Sequence, residues 1–357
     1  MNAAPSPQLV GVRVANLSDP DERSRIEAYV LAHEAGTPFH LPAWSMAVAR
    51  GCGQTSHYLV AGQGDGTLAG VLPLTECSSP LFGKVLASAG FGVGGGILAD
   101  RPAAVTALAE ACWSLAQRLG CPGVELRGGA HPGADWTIED CRYQGFVKPL
   151  APDDAAELAA IPRKQRAEVR KALAGDFEIQ VGRDRAAAAA HYRVYSEMVR
   201  NLGTPVFPRR LFDSVLDLFG TDADILTVRH RGVPVSSVLS LYWKGRVYPY
   251  WGGGTGAARG LRANDRLYFE LMRHARARGC TGFDFGRSKT GTGPAAYKRS
   301  WGFEPQPLTY YDRVADGAAV RDASPLNPKY RLKIALWKKL PLWAANLAGP
   351  VIARGLG

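Results

Sequence analysis

GCPGVELRGG, from Gly120 to Gly129, returns as GCTGFDFGRS, from Gly279 to Ser288, at an offset of 159 residues. Each copy follows a stretch with helical periodicity, LAEACWSLAQRL before the first and LYFELMRHARAR before the second. Working outward, Gly94-Gly95-Gly96 matches Gly252-Gly253-Gly254 at 158, and RYQGF from Arg142 matches RSWGF from Arg299 at 157. Four correspondences in one order at a nearly constant offset mark an internal duplication. The chain of 357 residues is therefore read as two copies of one unit, each of a size that buries its own core.

The elements within each copy run in parallel. A helical region comes first, around Glu22–Ala35 in one copy and Ala186–Leu202 with Arg209–Leu218 in the other. A hairpin follows, HYLVA with TLAGVLPLTE and then ADILTVRH with VPVSSVLSLYW around Arg231-Gly232. A third strand (KVLASAG; RVYPYWG) enters the glycine cluster, a helix leads to a fourth strand (VELRG; FDFGR), and a Gly-Phe segment closes the unit. A meander, a crossover helix and a further strand predict an α/β fold whose mixed sheet contains one parallel pair.

Net charge is +11, and its placement matters more than its size. Ile161–Gly175 holds five basic residues against Glu168 alone, and Arg321–Gly357 holds seven against Asp322. Two concentrated patches on a nearly neutral chain point to particular anionic contacts rather than to general nucleic-acid binding; two solvated helix faces are the bland alternative. The six cysteines form no CxxC pair and are expected to be reduced. No signal peptide is expected, because Asp19, Asp21 and Glu22 interrupt a leader without an apolar core.

With YWGGG, FDFGRS and YKRSWGF in the second copy, this order resembles the FemAB/FemX family of tandem GNAT-fold aminoacyltransferases, which build peptidoglycan cross-bridges. The branch associated with exosortase/PEP-CTERM systems is the most similar, its tail pattern running from Ser324-Pro325 through WKKLP. The resemblance spans residues 10–345. It implies two GNAT-like (acyl-CoA N-acyltransferase-type) domains with mixed sheets, 1–155 and 156–315, and a basic apolar tail, 316–357, that docks on the first domain or lies on a membrane. It implies transfer of an aminoacyl or acyl group to an amine of a cell-envelope or exopolysaccharide precursor, without a covalent enzyme intermediate. Aminoacyl-tRNA is the implied donor, with acyl-CoA or acyl carrier protein the alternative. A non-catalytic envelope-assembly role is the other alternative. The implied location is cytoplasmic, peripheral on the inner membrane.

Candidate site residues fall in four places. In IPRKQRAEVRKAL, helical spacing puts Arg163, Arg166 and Arg170 on one stripe and Ile161, Val169 and Leu173 on another. Paired guanidinium donors suit a diphosphate, and the family uses basic residues near here for that purpose; a salt-bridge face is the alternative. Lys298 and Arg299 precede a Gly-Phe turn where the resemblance implies a lysine that stabilises charge on the transferring group; a surface lysine is the alternative. Cys141 stands opposite Lys298 in the first copy, so the fold alone does not demand this lysine. Asp284, between Phe283 and Phe285, faces away from both and suits orienting or deprotonating an amine. Its counterpart Glu125 leaves a structural role open, and Arg287 follows as an anion ligand. Tyr248, Tyr250 and Trp251 run into the glycines, as a substrate channel or as core.

The seven histidines show no metal-ligand spacing, so no metal is expected. No GxSxG or P-loop occurs, and the phosphate loop of CoA-dependent GNAT enzymes is not evident near Trp251–Leu261. In the tail, Tyr330, Ile334 and Trp337 share a stripe flanked by Lys329, Lys333, Lys338 and Lys339. The uncharged run Leu340–Ala353 is too short to span a bilayer and is divided by Pro341 and Pro350.

Overall fold

The computed structural model describes residues 10–62, 66–79, 82–318 and 330–356. Arg321, Asp322, Ser324, Pro325 and Lys329 lie outside the described residues. In the first copy the order is β1 (Gly11–Val14), α1 (Pro20–Ala32), α2 (Pro42–Cys52), β2 (Thr55–Gly62), β3 (Leu68–Ser79), β4 (Gly83–Ser88), β5 (Leu98–Ala99), α3 (Pro102–Arg118), β6 (Gly123–Arg127) and β7 (Thr137–Glu139). β8 (Tyr143–Pro149) and α4 (Asp154–Ala160) lead to α5 (Arg163–Leu173), β9 (Glu178–Gly182), α6 (Arg185–Leu202) and α7 (Arg209–Phe219). Next come β10 (Ala223–His230), β11 (Val233–Trp243), β12 (Arg246–Gly254), α8 (Ala258–Leu261), α9 (Ala263–Ala277), β13 (Gly282–Asp284) and β14 (Ser288–Lys289). α10 (Gly293–Ser300), β15 (Pro305–Pro307), β16 (Tyr310–Val314), α11 (Arg331–Trp337) and α12 (Leu342–Ala353) complete the chain.

These elements build two mixed sheets of the same plan. The first runs β1-β2-β3-β4-β6-β16-β7, and the second runs β9-β10-β11-β12-β13-β8-β14. In each, the parallel pair is joined by a crossover helix: β4 with β6 through α3, and β12 with β13 through α9. The expected hairpins are present as β2-β3 and β10-β11.

One feature departs from two self-contained copies. β8 ends the first copy in sequence yet pairs with β13 of the second sheet, while β16 ends the second copy and pairs with β6 of the first. The compact units accordingly comprise residues 10–139, 309–318 and 354–356 in one case, and 140–308 with 330–353 in the other. The Gly-Phe segments also diverge. RYQGF opens into β8, whereas RSWGF closes α10 and turns at Gly302. The glycine clusters diverge too: Gly252–Gly254 lie within β12, while Gly94–Gly96 follow β4 as loop.

In the second unit, α9 and α6 cover opposite faces of the sheet. Leu226, Val228 and Val238 pack with Leu267, Leu271 and Met272 of α9. On the other face the ring of His191 from α6 meets Ser237 Oγ at 3.1 Å. Phe146, wholly buried, joins Phe283, Phe285, Trp301 and Phe303 in the core on the α9 side. A residue read with the first copy thus completes the core of the second unit. The first unit has its own core, with Leu72, Leu86, Leu108, Val124 and Tyr311 among its members.

The described part of the tail, expected to dock on the first domain or to lie on a membrane, belongs over most of its length to the second unit. α12 packs against α6 of the second unit, where Gly349 lets the helix backbone approach Val206; a Cβ there would meet it at 3.0 Å. Only the last residues return to the first unit, with Gln54 Nε2 donating to the Arg354 carbonyl at 2.7 Å. Pro350 does not break the helix as expected; it sits in the last turn of α12, where its missing N–H removes a single bond.

Candidate active site

β12 and β13 pair over only two residues, Arg246 with Gly282 and Val247 with Phe283. Beyond them the strands part. Tyr248 and Asp284 stand where the pairing ends, and the charge of the carboxylate acts on the phenol. On the other edge of β12 the register with β11 shifts, so Tyr250 and Trp251 together oppose Leu239. This bulge bends the strand and sets both aromatic rings side by side, 4.7 Å between centres. Trp251 is buried, with Phe212 of α7 4.9 Å from its ring, while Tyr250 is half-buried. Gly253 is required here: Met198 of α6 would lie 2.0 Å from a Cβ, and its φ is +155°.

Lys298 reaches this region from α10. Its Nζ donates to the carbonyls of Gly286, at 3.1 Å, and Arg287, at 3.0 Å. The rings of Phe146 and Phe285 flank it, each centre 5.3 Å away. An ammonium group has three donors, so two are spent on the β13–β14 turn and, among the described residues, one is left. Burial pushes the lysine down to about 7, and nearby Arg287 adds to the effect while Asp284 opposes it. Burial likewise raises the carboxyl of Asp284, against the pull of the Gly286 N–H, Arg246 and Lys298. Burial and the Asp284 charge push the Tyr248 phenol up to about 12.

The equivalent carboxylate in the first unit is differently placed. Glu125 bonds to Arg127 Nε at 2.7 Å, and Arg127 is tied onward to the Gly92 carbonyl. In the second unit Gly286 replaces that arginine at the same offset, and among the described residues Asp284 accepts only the Gly286 N–H, at 2.9 Å. The same strand end is neutralised in one unit and carries a less compensated carboxyl in the other.

Arg163, Arg166 and Arg170 do not behave alike. Arg166 donates to the carbonyls of Ile161, at 3.0 Å, and Ala159, at 2.7 Å, thereby capping the end of α4. Arg163 and Arg170 are exposed. The opposite face is core, with Ile161 and Val169 fully buried and Leu173 packed against them. Gln165 of α5 and Tyr297 of α10 both donate to Asp265 of α9, at 2.7 and 3.0 Å, so the basic helix and the lysine helix share one anchor. Glu168 pairs with Lys171 and with Arg262.

The structure thus brings Lys298, Asp284, Arg287 and Tyr248 together. Arg299 is exposed on α10, and Arg287 lies with its guanidinium 4.6 Å from the ring centre of Tyr143. Sequence reading missed Tyr143, Phe146, Arg246 and Asp265. Tyr143 and Phe146 were visible as part of RYQGF, but nothing local indicated that this strand belongs to the other sheet. Arg246 and Asp265 carried no signal. Among the described residues no group of His, Cys, Asp and Glu stands together as a metal site.

Residues 162–299 match the Acetyltransferase (GNAT) domain. With two sheets of one plan, this defines the class: a tandem GNAT-fold protein with an acyltransferase domain in its second half. The fold is similar to that of FemX, with a TM-score of 0.64 and 15% identity over 90% of this chain and 99% of that one. It is also similar to a tandem GNAT protein from the clavulanic acid biosynthesis pathway (TM-score 0.56, 12% identity, 87% and 100% covered). L-PGS from Bacillus licheniformis is a third (TM-score 0.53, 13% identity, 90% and 98% covered). Among curated protein sequences, none matches the chain.

Proposed function

We propose that the protein transfers an aminoacyl or acyl group to an amine of a cell-envelope or exopolysaccharide precursor, in the manner of the FemAB/FemX family and its exosortase-associated branch. The observation that carries this reading is the remaining donor of Lys298 where β12 and β13 part, beside Asp284. The amine nitrogen attacks the donor carbonyl carbon, and the Lys298 ammonium stabilises the oxyanion that forms. Asp284 takes the amine proton. The intermediate collapses by expelling the donor oxygen, or sulfur if the donor is a thioester, which leaves with the proton that Asp284 took from the amine. No bond to the enzyme forms, so orientation supplies much of the acceleration. Arg163 and Arg170 hold the acceptor diphosphate from α5, with Arg299 and Tyr250 contributing to substrate contact. Aminoacyl-tRNA is the favoured donor, because no CoA phosphate loop of the usual pattern follows β12. The reaction takes place on the cytoplasmic side of the envelope.

The test is a mass-spectrometric comparison of envelope precursors from a deletion strain and its parent, followed by reconstitution with and without RNase. A missing aminoacylated product and RNase sensitivity are expected. An RNase-insensitive activity reassigns the donor to acyl-CoA or acyl carrier protein. An unchanged precursor pool assigns the fold to a binding role.

A further inference from the structure

α12 is apolar on both sides, but its two sides differ in size. Ala345, Gly349 and Ala353 are buried, four residues apart, and Gly349 lies against Val206, just beyond α6. The large residues at the same spacing point outward: Trp343 is 72% exposed, Leu347 74% and Val351 63%. α11 continues the pattern with Leu332 and Leu336, both exposed. Five of the eleven exposed large hydrophobic residues among those described therefore lie within twenty positions, which is a patch rather than scatter. A helix that hides alanine and glycine and displays tryptophan, leucine and valine is inverted for a water-facing surface.

The tail is held in this pose. Arg200 of α6 donates to the carbonyls of Lys338 and Leu340, at 3.4 and 3.5 Å. Gly203, with φ +84°, lies directly under Ile334, whose Cγ2 would be 2.5 Å from a Cβ.

The charge around the patch is of one sign. Arg331, Lys333, Lys338, Lys339 and Arg354 are all exposed, and no acidic residue occurs from Tyr330 to the end of the chain. None of these five makes an ion pair among the described residues. At 1.5 Å per residue the twelve residues of α12 reach about 18 Å, short of the ~30 Å hydrocarbon layer. No helix among the described residues is long and apolar enough to cross a membrane.

We infer that the outward face of α11 and α12 docks on an anionic lipid bilayer, with Trp343, Leu347 and Val351 seated at the acyl boundary and the lysines among the headgroups. Apolar area supplies one part of the attraction, and the anionic surface potential acts on the basic residues. A second copy of this chain fits less well, because two faces of like charge would meet. The inference is independent of the chemistry at Lys298.

Flotation of the full chain with phosphatidylglycerol/phosphatidylcholine vesicles tests it. Binding is expected to the mixed vesicles, to weaken at least tenfold on pure phosphatidylcholine, and to fall with rising salt. Trp343→Ser with Leu347→Ser should abolish binding while circular dichroism and melting stay as in the parent. Lys338→Glu with Lys339→Glu leaves the apolar face intact and should also release the protein. No flotation, binding that survives both variants, or a dimer that Leu347→Ser dissociates without any vesicle binding would each overturn the proposal.

Discussion

The ammonium of Lys298 lies 5.3 Å from the ring centre of Phe146, a residue that enters the second unit only through the exchanged strand β8. The candidate catalytic lysine thus rests on a wall supplied by the end of the first repeat. Phe146 is fully buried, so Phe146→Ala should cost about 3–5 kcal/mol of stability, measured by urea denaturation. A loss below about 1 kcal/mol would mean that the strand is not an integral part of this core.

The exchange also determines which fragments fold. A piece spanning 156–315 lacks β8 and leaves β13 without its neighbour, so it should remain unfolded by circular dichroism. A piece spanning 140–308 keeps every strand of the second sheet and should give a cooperative melt. Equal behaviour of the two would contradict the strand assignment.

Lys298 should leave a mark on stability against pH. Its pKa falls from an ordinary 10.5 to about 7 in the folded chain. Between those values the unfolded chain holds more protons than the folded one, so stability rises with pH across about 7 to 10 and is lowest below 7. Lys298→Met removes that dependence. Its melting temperature relative to the parent should be most favourable below pH 7 and lose that advantage by pH 10.

Catalysis should respond in the opposite sense, because the oxyanion needs the charged lysine. Transfer by the parent should decline as pH rises through about 7. Lys298→Arg keeps the charge and should move that decline to higher pH. Lys298→Met should lower kcat by roughly 10²–10³, the usual cost of one oxyanion donor. An unchanged kcat in the methionine variant would remove Lys298 from the chemistry.

The arginines of α5 should separate into two kinds. Arg166→Ala breaks charged bonds to two carbonyls and should cost about 1.5–3 kcal/mol of stability. Arg163→Ala and Arg170→Ala should stay within about 0.5 kcal/mol of the parent, as exposed positions do. Their effect is expected on KM for a diphosphate-bearing acceptor, with kcat retained.

Much of the architecture could be read before any coordinates. The repeat of GCPGVELRGG and GCTGFDFGRS, the hairpins and the basic helix all depend on local periodicity and turn residues, and they appear where those features place them. Glu125 and Asp284 were equally legible as a matched pair. Their divergence was not, because it depends on whether Arg127 or Gly286 stands two residues further along a strand end, and on what each touches.

Composition, periodicity and spacing determined the duplicated α/β plan, the positions of the strands and crossover helices, and the candidacy of Asp284 and the α5 arginines, while Lys298 became a candidate through the family resemblance and its absence from the first copy. Tertiary structure alone decided that β8 and β16 change sheets, that Arg166 caps a helix while its neighbours stay exposed, and that α12 turns its small residues inward. The physical reason is the same in each case. Local chemistry sets what a segment can become, but strand partners, burial and the loss of solvent around a charge arise from residues far apart in the chain, and those encounters exist only once it has folded.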